Sequence, residues 1–275
     1  MMLLKWSRGQ KRAAKKKGGE SMQAERRNLL SAQSDFFVRE AYKTLRTNVS
    51  FALAEKEGCP VIMVTSAFQN EGKSITALNL AISYAMADRK VLIIDCDLRR
   101  PKVARLLDEK GTVGLTNLIM NPKLRAEAIR PTKITGLDAI LAGDIPPNPS
   151  ELLGSSRMGR LLQELREEYD VIVLDSPPVN VVIDAVVLAP QSDGVLFLVR
   201  ANYSERSAVM RAVEHMEYAK AKVLGFVLNE VENEKNPFKY GKYRGRYYGR
   251  YGRYGYGGQY LEMETDAEET GAKNW

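Results

Sequence analysis

The chain alternates short apolar runs with amphipathic stretches from residue 58 onward, and this alternation limits the possible folds more than any other feature. Runs rich in Val, Ile and Leu, of the kind that form buried parallel strands, occupy 61–65, 91–95, 171–175, 195–199 and 223–228. Helical spacing occupies 74–87, 150–168 and 204–219. This order predicts an α/β fold: a doubly wound, mostly parallel sheet with right-handed crossovers and helices on both faces.

The segments on either side of this core have a different character. Residues 28–54 show helical spacing, and the residues that fall along one side are Phe37, Ala41, Leu45, Asn48 and Ala52. We expect a helix there, or two, packed on the core or on a neighbouring molecule. Residues 235–275 are rich in Tyr, Gly and Arg, and this composition predicts a disordered tail because it buries too little apolar surface. The expected folded domain is therefore 28–234.

Charge is concentrated at the ends of the chain. Residues 1–27 form a basic arm with nine Lys or Arg against two Glu, and 239–260 add six basic residues and no acid. The middle is nearly neutral, so we expect no nucleic-acid partner for the core, and the basic arms suit an anionic membrane surface or an acidic partner, or are simply solvated. Two cysteines are too few for a disulfide framework, which indicates a cytoplasmic location. No apolar run approaches the ~18–20 residues that span a bilayer.

A phosphate-binding loop follows the first predicted strand. The expected nucleotide-binding residues are Ala67, Phe68, Gln69, Asn70, Glu71, Gly72, Lys73, Ser74 and Ile75. Gly72, Lys73 and Ser74 match the P-loop pattern, while Ala67 stands where that pattern has glycine, so the motif is deviant. Loop amides would cradle phosphate oxygens, Lys73 would offset phosphate charge, and the Ser74 hydroxyl would bind Mg²⁺. An ordinary turn from strand to helix is the alternative.

Acidic residues end two further predicted strands. Asp95 and Asp97 follow 91–94, and Asp175 follows 171–174. Carboxyl ends of parallel strands converge on the crevice where ligands bind, so these acids should meet Lys73 and Ser74. Because Asp95 and Asp97 are two residues apart, an extended strand would place both side chains on the same face. Carboxylate oxygens suit Mg²⁺, although each acid alone would also serve as a helix cap.

These motifs together resemble those of the bacterial tyrosine kinases (BY-kinases) that regulate capsule and exopolysaccharide synthesis, which are relatives of partitioning and division-site ATPases. The matching stretches are 67–74, 93–99, 143–153 and 171–178. The resemblance implies an ATP- and Mg²⁺-dependent protein-tyrosine kinase. It implies catalytic roles for Lys73, Asp95 and Asp97, of which Asp97 takes the proton from the tyrosine. Metal binding would fall to Ser74, Asp95 and Asp175.

The same resemblance implies self-association through an N-terminal helix in 28–57. The family's Glu-x-x-Arg-x-x-Arg motif here has Glu40, Lys43 and Arg46, so Lys43 replaces the first arginine and loses its planar fork. A ring-like homo-oligomer is implied. Spacing alone would favour a solvated charged face instead.

Eight of the thirteen tyrosines cluster near the C-terminus: Tyr240, Tyr243, Tyr247, Tyr248, Tyr251, Tyr254, Tyr256 and Tyr260. Beside a P-loop of this type they are interpreted as phosphoacceptors, although interleaved Arg, Gly and Tyr also suit RNA binding or condensation. A flexible segment of about twenty residues spans ~25 Å, so it would reach a neighbour's site as readily as its own.

The resemblance also implies partners. The chain looks like the separate kinase type without a fused transmembrane activator, so the cytoplasmic tail of a membrane polysaccharide co-polymerase is the expected partner, holding the kinase at the inner face of the cell membrane. A cognate tyrosine phosphatase and other protein substrates are also expected. The alternative function is a partitioning-type ATPase, but that class bears a second lysine early in the P-loop, which 67–69 lack. A non-enzymatic nucleotide-binding adaptor fits the intact Lys73 and acids less well.

Overall fold

A computed structural model describes residues 28–231, and the predictions for the basic arm and for the tyrosine cluster concern residues outside this range. The strands are β1 Val61–Ser66, β2 Val91–Asp95, β3 Ile129–Pro131, β4 Leu137–Ile140, β5 Val171–Asp175, β6 Gly194–Arg200 and β7 Val223–Asn229. They form one sheet in the order β3-β4-β2-β5-β1-β6-β7. Each pairing is parallel except that of β3 with β4. The predicted α/β class and mostly parallel sheet are confirmed.

Within residues 28–231, one helix precedes β1, and the other helices lie in the connections between strands. The helices are α1 Phe36–Ala52, α2 Lys73–Ala85, α3 Val103–Leu107, α4 Leu115–Met120, α5 Arg125–Ala128, α6 Pro149–Leu153, α7 Ser156–Arg166, α8 Asp184–Leu188 and α9 Arg206–Tyr218. Short 3₁₀ turns occupy Pro122–Leu124 and Ala189–Gln191.

Both faces of the sheet are covered, as predicted. Because successive strand residues point to opposite faces, Met63 joins one buried apolar cluster and Ile62 joins the other. Helices α7 and α9 pack on the first face, where they contribute Leu162 and Met216. Helices α1 and α2 pack on the second.

The predicted single helix over 150–168 is wrong, because the chain forms two helices there. The first ends at Leu153, and Ser155 caps the second by accepting a hydrogen bond from the amide of Met158 at 3.3 Å. Gly154 and Ser155 are a helix stop followed by a helix start, and the apolar periodicity across them masked the break.

The buried stripe of α1 also differs from the predicted one. Tyr42, Leu45 and Val49 are buried against the core, whereas Phe37 is 68% exposed. Leu45 belongs to both patterns, but the true stripe includes a tyrosine whose carbonyl accepts a hydrogen bond from the Ser83 hydroxyl of α2 at 3.3 Å. The helix does pack on the core, which was one of the two expected arrangements.

Among residues 28–231, the helices are all too short or too polar to cross a bilayer.

Candidate functional site

Two of the predicted acids end neighbouring strands in register. Asp95 of β2 pairs with Asp175 of β5, which is flanked on its other side by β1. Asp175 is fully buried, and neither of its carboxylate oxygens has a hydrogen-bond partner in the described part of the chain. Burial raises the pKa of Asp175 to about 6, and the rise is limited by the Lys73 ammonium and by a nearby Ser74 hydroxyl whose geometry falls short of a hydrogen bond. A buried carboxylate whose oxygens lack hydrogen-bond partners is suited to binding a cation.

Asp95 is also fully buried, but its oxygens are engaged by backbone amides. Oδ2 accepts from the amides of Lys102 and Val103, each at 3.0 Å, at the start of α3, and Oδ1 accepts from the Asp97 amide at 3.2 Å. Burial and then the neighbouring Asp175 raise its pKa well above the usual range. The helix-capping alternative thus holds for Asp95 alongside its position in the crevice.

Asp97 does not extend the strand, so the expectation that Asp95 and Asp97 share the face of one strand is wrong. Strand β2 ends at Asp95, and Asp97 begins a turn in which its Oδ1 accepts from the Arg100 amide at 3.0 Å. Burial raises the pKa of Asp97, whereas that amide and the Lys73 ammonium oppose the rise. The turn nevertheless keeps Asp97 within electrostatic range of Lys73.

The predicted P-loop joins β1 to α2 through a turn that includes two residues of left-handed backbone conformation. Asn70 and Gly72 both have positive φ, 61° and 97°, and Gly72 precedes the first helical residue, Lys73. A β-carbon on Gly72 would collide with the Asn229 side chain, so glycine is required there for space as well as for conformation. Ala67, the departure from the pattern, is fully buried in the core, so its methyl group is accommodated.

Lys73 and Ser74 lie at the start of α2, facing the acids. Lys73 is largely buried, and burial lowers its pKa while Asp175 and then Asp97 oppose this effect. The start of a helix of this length is also where phosphate oxygens find free amides and a favourable dipole. Ile75, predicted with the loop, is partly buried and packs its side chain against the second core cluster.

The residues present fit Mg²⁺. Asp175 offers two unpartnered oxygens and Ser74 a nearby hydroxyl, while the oxygens of Asp95 already accept three amide hydrogens. No group of three or more His, Cys, Asp or Glu suited to a metal occurs within residues 28–231. Mg²⁺ commonly takes one or two carboxylates and completes its shell with water and phosphate oxygens, so this donor set suits an ion that arrives with a nucleotide.

An ion pair beside the site was missed by the sequence reasoning. Arg99 donates from Nε to Asp184 Oδ2 at 2.7 Å and from Nη2 to Oδ1 at 3.1 Å, joining the β2 turn to the first residue of α8. Asp184 is fully buried. No spacing in the sequence links residues 85 positions apart, although an aspartate within the apolar stretch 181–188 was a visible anomaly.

Polar residues ending β6 and β7 were missed as well. Arg200 and Asn229 close two otherwise apolar strands, and both contact the P-loop backbone. A polar residue at the carboxyl end of a buried parallel strand was the signal that had identified Asp95 and Asp175, and it applied equally here.

The three residues predicted for self-association lie on α1, but they are not equally available to a neighbouring chain. Lys43 Nζ donates to Glu40 Oε1 at 2.7 Å, and both side chains are exposed. Arg46 reaches inward and donates to the backbone oxygen of Ser83 in α2. The oligomerisation prediction therefore stays open, with Glu40 and Lys43 on the surface.

An open cleft of ≈ 390 Å³ borders the P-loop at Phe68. Its walls include Val181 and Ile183, which follow the β5 acid, and Arg211 and His215 of α9. His215 is exposed on this rim.

Comparison with known proteins identifies the same core. A family model described as an AAA domain matches residues 59–224. The tyrosine-protein kinase YwqD of Bacillus subtilis (strain 168) is 36% identical over 232 residues, covering 84% of this chain and 96% of YwqD. The solved kinase domain of the Escherichia coli tyrosine kinase ETK aligns with a TM-score of 0.69 and 33% identity, covering 72% of this chain and 78% of that one.

A more distant structure shares the fold alone. The septum site-determining protein MinD of Pyrococcus horikoshii OT3, solved with Mg-ADP, is 20% identical, with a TM-score of 0.53 over 67% of this chain and 76% of that one.

Proposed function

The chain belongs to the family of bacterial tyrosine-protein kinases, and we propose that it transfers the γ-phosphoryl group of ATP to the tyrosines of its own C-terminal cluster. The observation that carries the proposal is the convergence of Lys73, Asp97 and an unpartnered, buried Asp175 at the carboxyl edge of the sheet. Such a site neutralises phosphate charge and offers a base, which is most of what phosphoryl transfer requires.

Each side chain has a distinct task in this scheme. Lys73 and the loop amides of 67–74 hold the phosphates, and the Ser74 hydroxyl and Asp175 hold Mg²⁺, with Asp95 orienting the turn that carries Asp97. Bound Mg²⁺ supplies positive charge to the phosphate oxygens. Asp97 accepts the proton of the tyrosine hydroxyl as the tyrosine oxygen bonds to the γ-phosphorus and the bond to the β-phosphate oxygen breaks, releasing ADP. Burial favours this role because a raised pKa makes Asp97 a stronger base.

The acceptor is proposed from the sequence. Tyr240, the first of the eight cluster tyrosines, lies eleven positions after Asn229, where β7 ends, and Tyr260 is the last of them. A core of this size has a radius of gyration of ~17 Å, and a random-coil segment of about twenty residues would span ~25 Å, which is enough to reach its own site or that of a neighbour. In a ring-like homo-oligomer, transfer between adjacent chains is favoured.

Location and partners complete the proposal. The kinase is cytoplasmic and is held at the inner membrane face by the cytoplasmic tail of a polysaccharide co-polymerase, and its phosphorylation state regulates capsular or extracellular polysaccharide synthesis. A cognate phosphatase would reverse the modification. Each phosphate adds about −1.5 to −2 charges to the basic stretch 239–260, so a few would reverse its sign and loosen the assembly.

The kinase reaction is tested with the full-length chain and Mg-ATP, with and without the co-polymerase's cytoplasmic segment, by mapping phosphotyrosine with mass spectrometry. We expect phosphate on several residues of the tyrosine cluster and none in Lys73→Met. Phosphate release without phosphotyrosine in either condition would instead support the partitioning-type ATPase.

Transfer between chains has its own test. Lys73→Met keeps every acceptor but lacks the catalytic lysine, and a variant with all eight cluster tyrosines changed to Phe keeps the site but lacks acceptors. Each alone should show no cluster phosphotyrosine, whereas a mixture should phosphorylate the Lys73→Met chain. A mixture that stays unmodified would restrict the reaction to one chain.

A further inference from the structure

Side chains at the carboxyl ends of β6 and β7 donate hydrogen bonds to the backbone of the P-loop. Arg200 Nη1, at the end of β6, donates to the backbone oxygen of Asn70 at 3.0 Å. Asn229 Nδ2, at the end of β7, donates to the backbone oxygen of Glu71 at 2.9 Å. Two consecutive loop carbonyls therefore point toward these strands.

This arrangement fixes the direction of the loop amides. In a trans peptide the N–H lies opposite the carbonyl, so the amides of Glu71 and Gly72 must point away from Arg200 and Asn229. Amides that face outward from such a loop are the groups that bind phosphate oxygens. Without the two donors, either peptide unit is free to rotate and turn a carbonyl oxygen toward the phosphate.

Glu71 adds a second attachment through its side chain. The residue is fully buried, and its Oε2 accepts from the Phe68 amide at 2.8 Å, which closes the loop upon itself. Its Oε1 accepts from the Ser204 hydroxyl, which in turn accepts from the Arg200 amide at 2.8 Å. The segment after β6 is thereby tied to the carboxylate inside the loop.

Arg200 is itself held in place. Its Nη2 pairs with Glu230 Oε2 at 2.6 Å, and its guanidinium lies over the Tyr203 ring at 4.9 Å from the centroid. Asn229 is largely buried and occupies the space where a β-carbon of residue 72 would lie. Both donors are thus positioned before any ligand arrives.

We propose that Arg200, Ser204 and Asn229 are positioning residues that orient the P-loop amides and so determine the affinity for the phosphates of a nucleotide. The inference rests on the proposed nucleotide site at 67–74. None of the three is assigned contact with the reacting atoms, so they should act on nucleotide binding far more than on the rate of transfer once the nucleotide is bound.

The test titrates the full-length chain with the fluorescent nucleotide mant-ADP in the presence of Mg²⁺. Ser204→Ala removes the hydroxyl that donates a hydrogen bond to Glu71, whereas Ser204→Thr retains a hydroxyl at this position. Ser207→Ala, on the exposed first turn of α9, is the matched control. We expect Ser204→Ala to weaken binding by about five- to twentyfold, as the loss of one or two hydrogen bonds implies, and Ser204→Thr and Ser207→Ala to stay within about twofold of the parent.

Asn229→Ala should weaken binding at least as much, and in both weakened variants KM for ATP should rise while kcat changes less than about twofold. Thermal unfolding without nucleotide checks folding, and if Asn229→Ala does not fold, the Ser204 series decides. Equal affinities for Ser204→Ala and the parent would overturn the proposal, as would a fall in kcat without a change in affinity. Because binding is measured without phosphotransfer, the result does not depend on whether the tyrosine cluster is the acceptor.

Discussion

At the residue scale, the site depends on carboxylates that differ in their hydrogen bonds although all are buried. Asp175 has none, Asp95 accepts three from backbone amides, and Asp97 accepts one from the Arg100 amide. We therefore expect the three carboxylates to have different roles. Asp175, without a hydrogen-bond partner, suits a metal ion, and Asp95 holds the turn. Asp97, in that turn, has a second carboxylate oxygen that can accept a proton.

Asp97→Asn should therefore remove the proposed general base while keeping a side chain of nearly the same size and shape. We expect kcat for phosphotyrosine formation to fall by about 10²- to 10⁴-fold, the usual contribution of a general base, while the affinity for mant-ADP stays within a few-fold of the parent. Initial rates at saturating Mg-ATP measure the first quantity. Asp88→Asn, an exposed aspartate with positive φ that asparagine also tolerates, is the control. A fall of less than tenfold would remove Asp97 as the base.

Asp193, which lies at the amino ends of the strands, should contribute to the stability of the fold. Asp193 Oδ2 accepts from the Val61 amide at 2.7 Å and from Arg166 Nη1 at 2.6 Å, and Oδ1 pairs with Lys56 Nζ at 3.2 Å. Burial acts to raise the pKa of Asp193, but the Arg166 guanidinium, the Val61 amide and the Lys56 ammonium together outweigh it and lower the pKa.

Asp193→Asn should accordingly lower the free energy of unfolding at pH 7 by about 1.5–3 kcal/mol, the range for hydrogen bonds to charged groups. Because the folded pKa is below the unfolded value of ~3.9, the native state binds fewer protons, and this stabilisation is complete above that value and lost as pH falls through the folded pKa. Urea titrations at pH 7 and pH 3 should show the difference between variant and parent shrinking at the lower pH. A constant difference would contradict the assigned ion pairing.

At the scale of elements, the sequence is informative wherever a structure repeats with a short period. Five strands (β1, β2, β5, β6 and β7) and the helix after the P-loop were predictable to within a few residues, because apolar runs and turn residues are local signals. The acids at the ends of β2 and β5 were predictable for the same reason, since topology carries every parallel carboxyl end to one edge.

What escaped prediction depends on contacts between distant segments. Strands β3 and β4 and the short helices between 103 and 128 have too few residues for a periodic pattern to appear. The supports of the P-loop at Ser204 and Asn229 lie more than 130 residues from Glu71, so nothing in the local sequence could link them. Which side of α1 is buried is determined by its packing against α2, and the spacing of apolar residues within α1 did not specify it.

The Arg99–Asp184 pair illustrates how such a contact can stabilise an element. Arg99→Ala would leave Asp184 buried without its counter-charge, and we expect the free energy of unfolding to fall by about 1–3 kcal/mol, less than for a fully buried pair because the Arg99 side chain is 42% exposed. Arg99→Lys should recover only part of the loss, since lysine cannot make both hydrogen bonds.

Urea denaturation measures these effects. Arg100→Ala is the matched control, because that neighbouring arginine is exposed and its side chain contacts the side chain of Gln69 at 2.9 Å. Equal stabilities for Arg99→Ala and Arg100→Ala would show that the bidentate pair contributes nothing. A larger loss for Arg99→Ala, with a parallel fall in activity, would tie the turn carrying Asp97 to α8.

At the scale of the whole molecule, the proposed assembly depends on α1. Glu40 and Lys43 are exposed and paired with each other, and the same helix exposes Phe37 and Phe51, which are 68% and 74% accessible. Arg46, by contrast, donates a hydrogen bond to α2. It therefore holds α1 in position and is less available than Glu40 and Lys43 to contact a neighbouring chain.

Exchanging the two charges in Glu40→Lys/Lys43→Glu separates the roles of this pair. The pair within the chain is retained with its polarity reversed, so the free energy of unfolding should change by less than about 0.5 kcal/mol, as for exposed ion pairs. A neighbouring chain that matches the original pattern would instead meet like charges, so an assembled parent should become mainly monomeric at the same concentration.

Sedimentation velocity measures the mass against the 30.8 kDa of one chain, with the swap Glu109→Lys/Lys110→Glu on another surface as the control. If assembly brings the acceptor of one chain to the site of the next, the monomeric variant should also phosphorylate a Lys73→Met chain more slowly than the parent does. The proposed interface is wrong if the α1 swap sediments like the parent. Loss of assembly with undiminished transfer would instead mean that chains meet transiently and that the ring is not needed for the reaction.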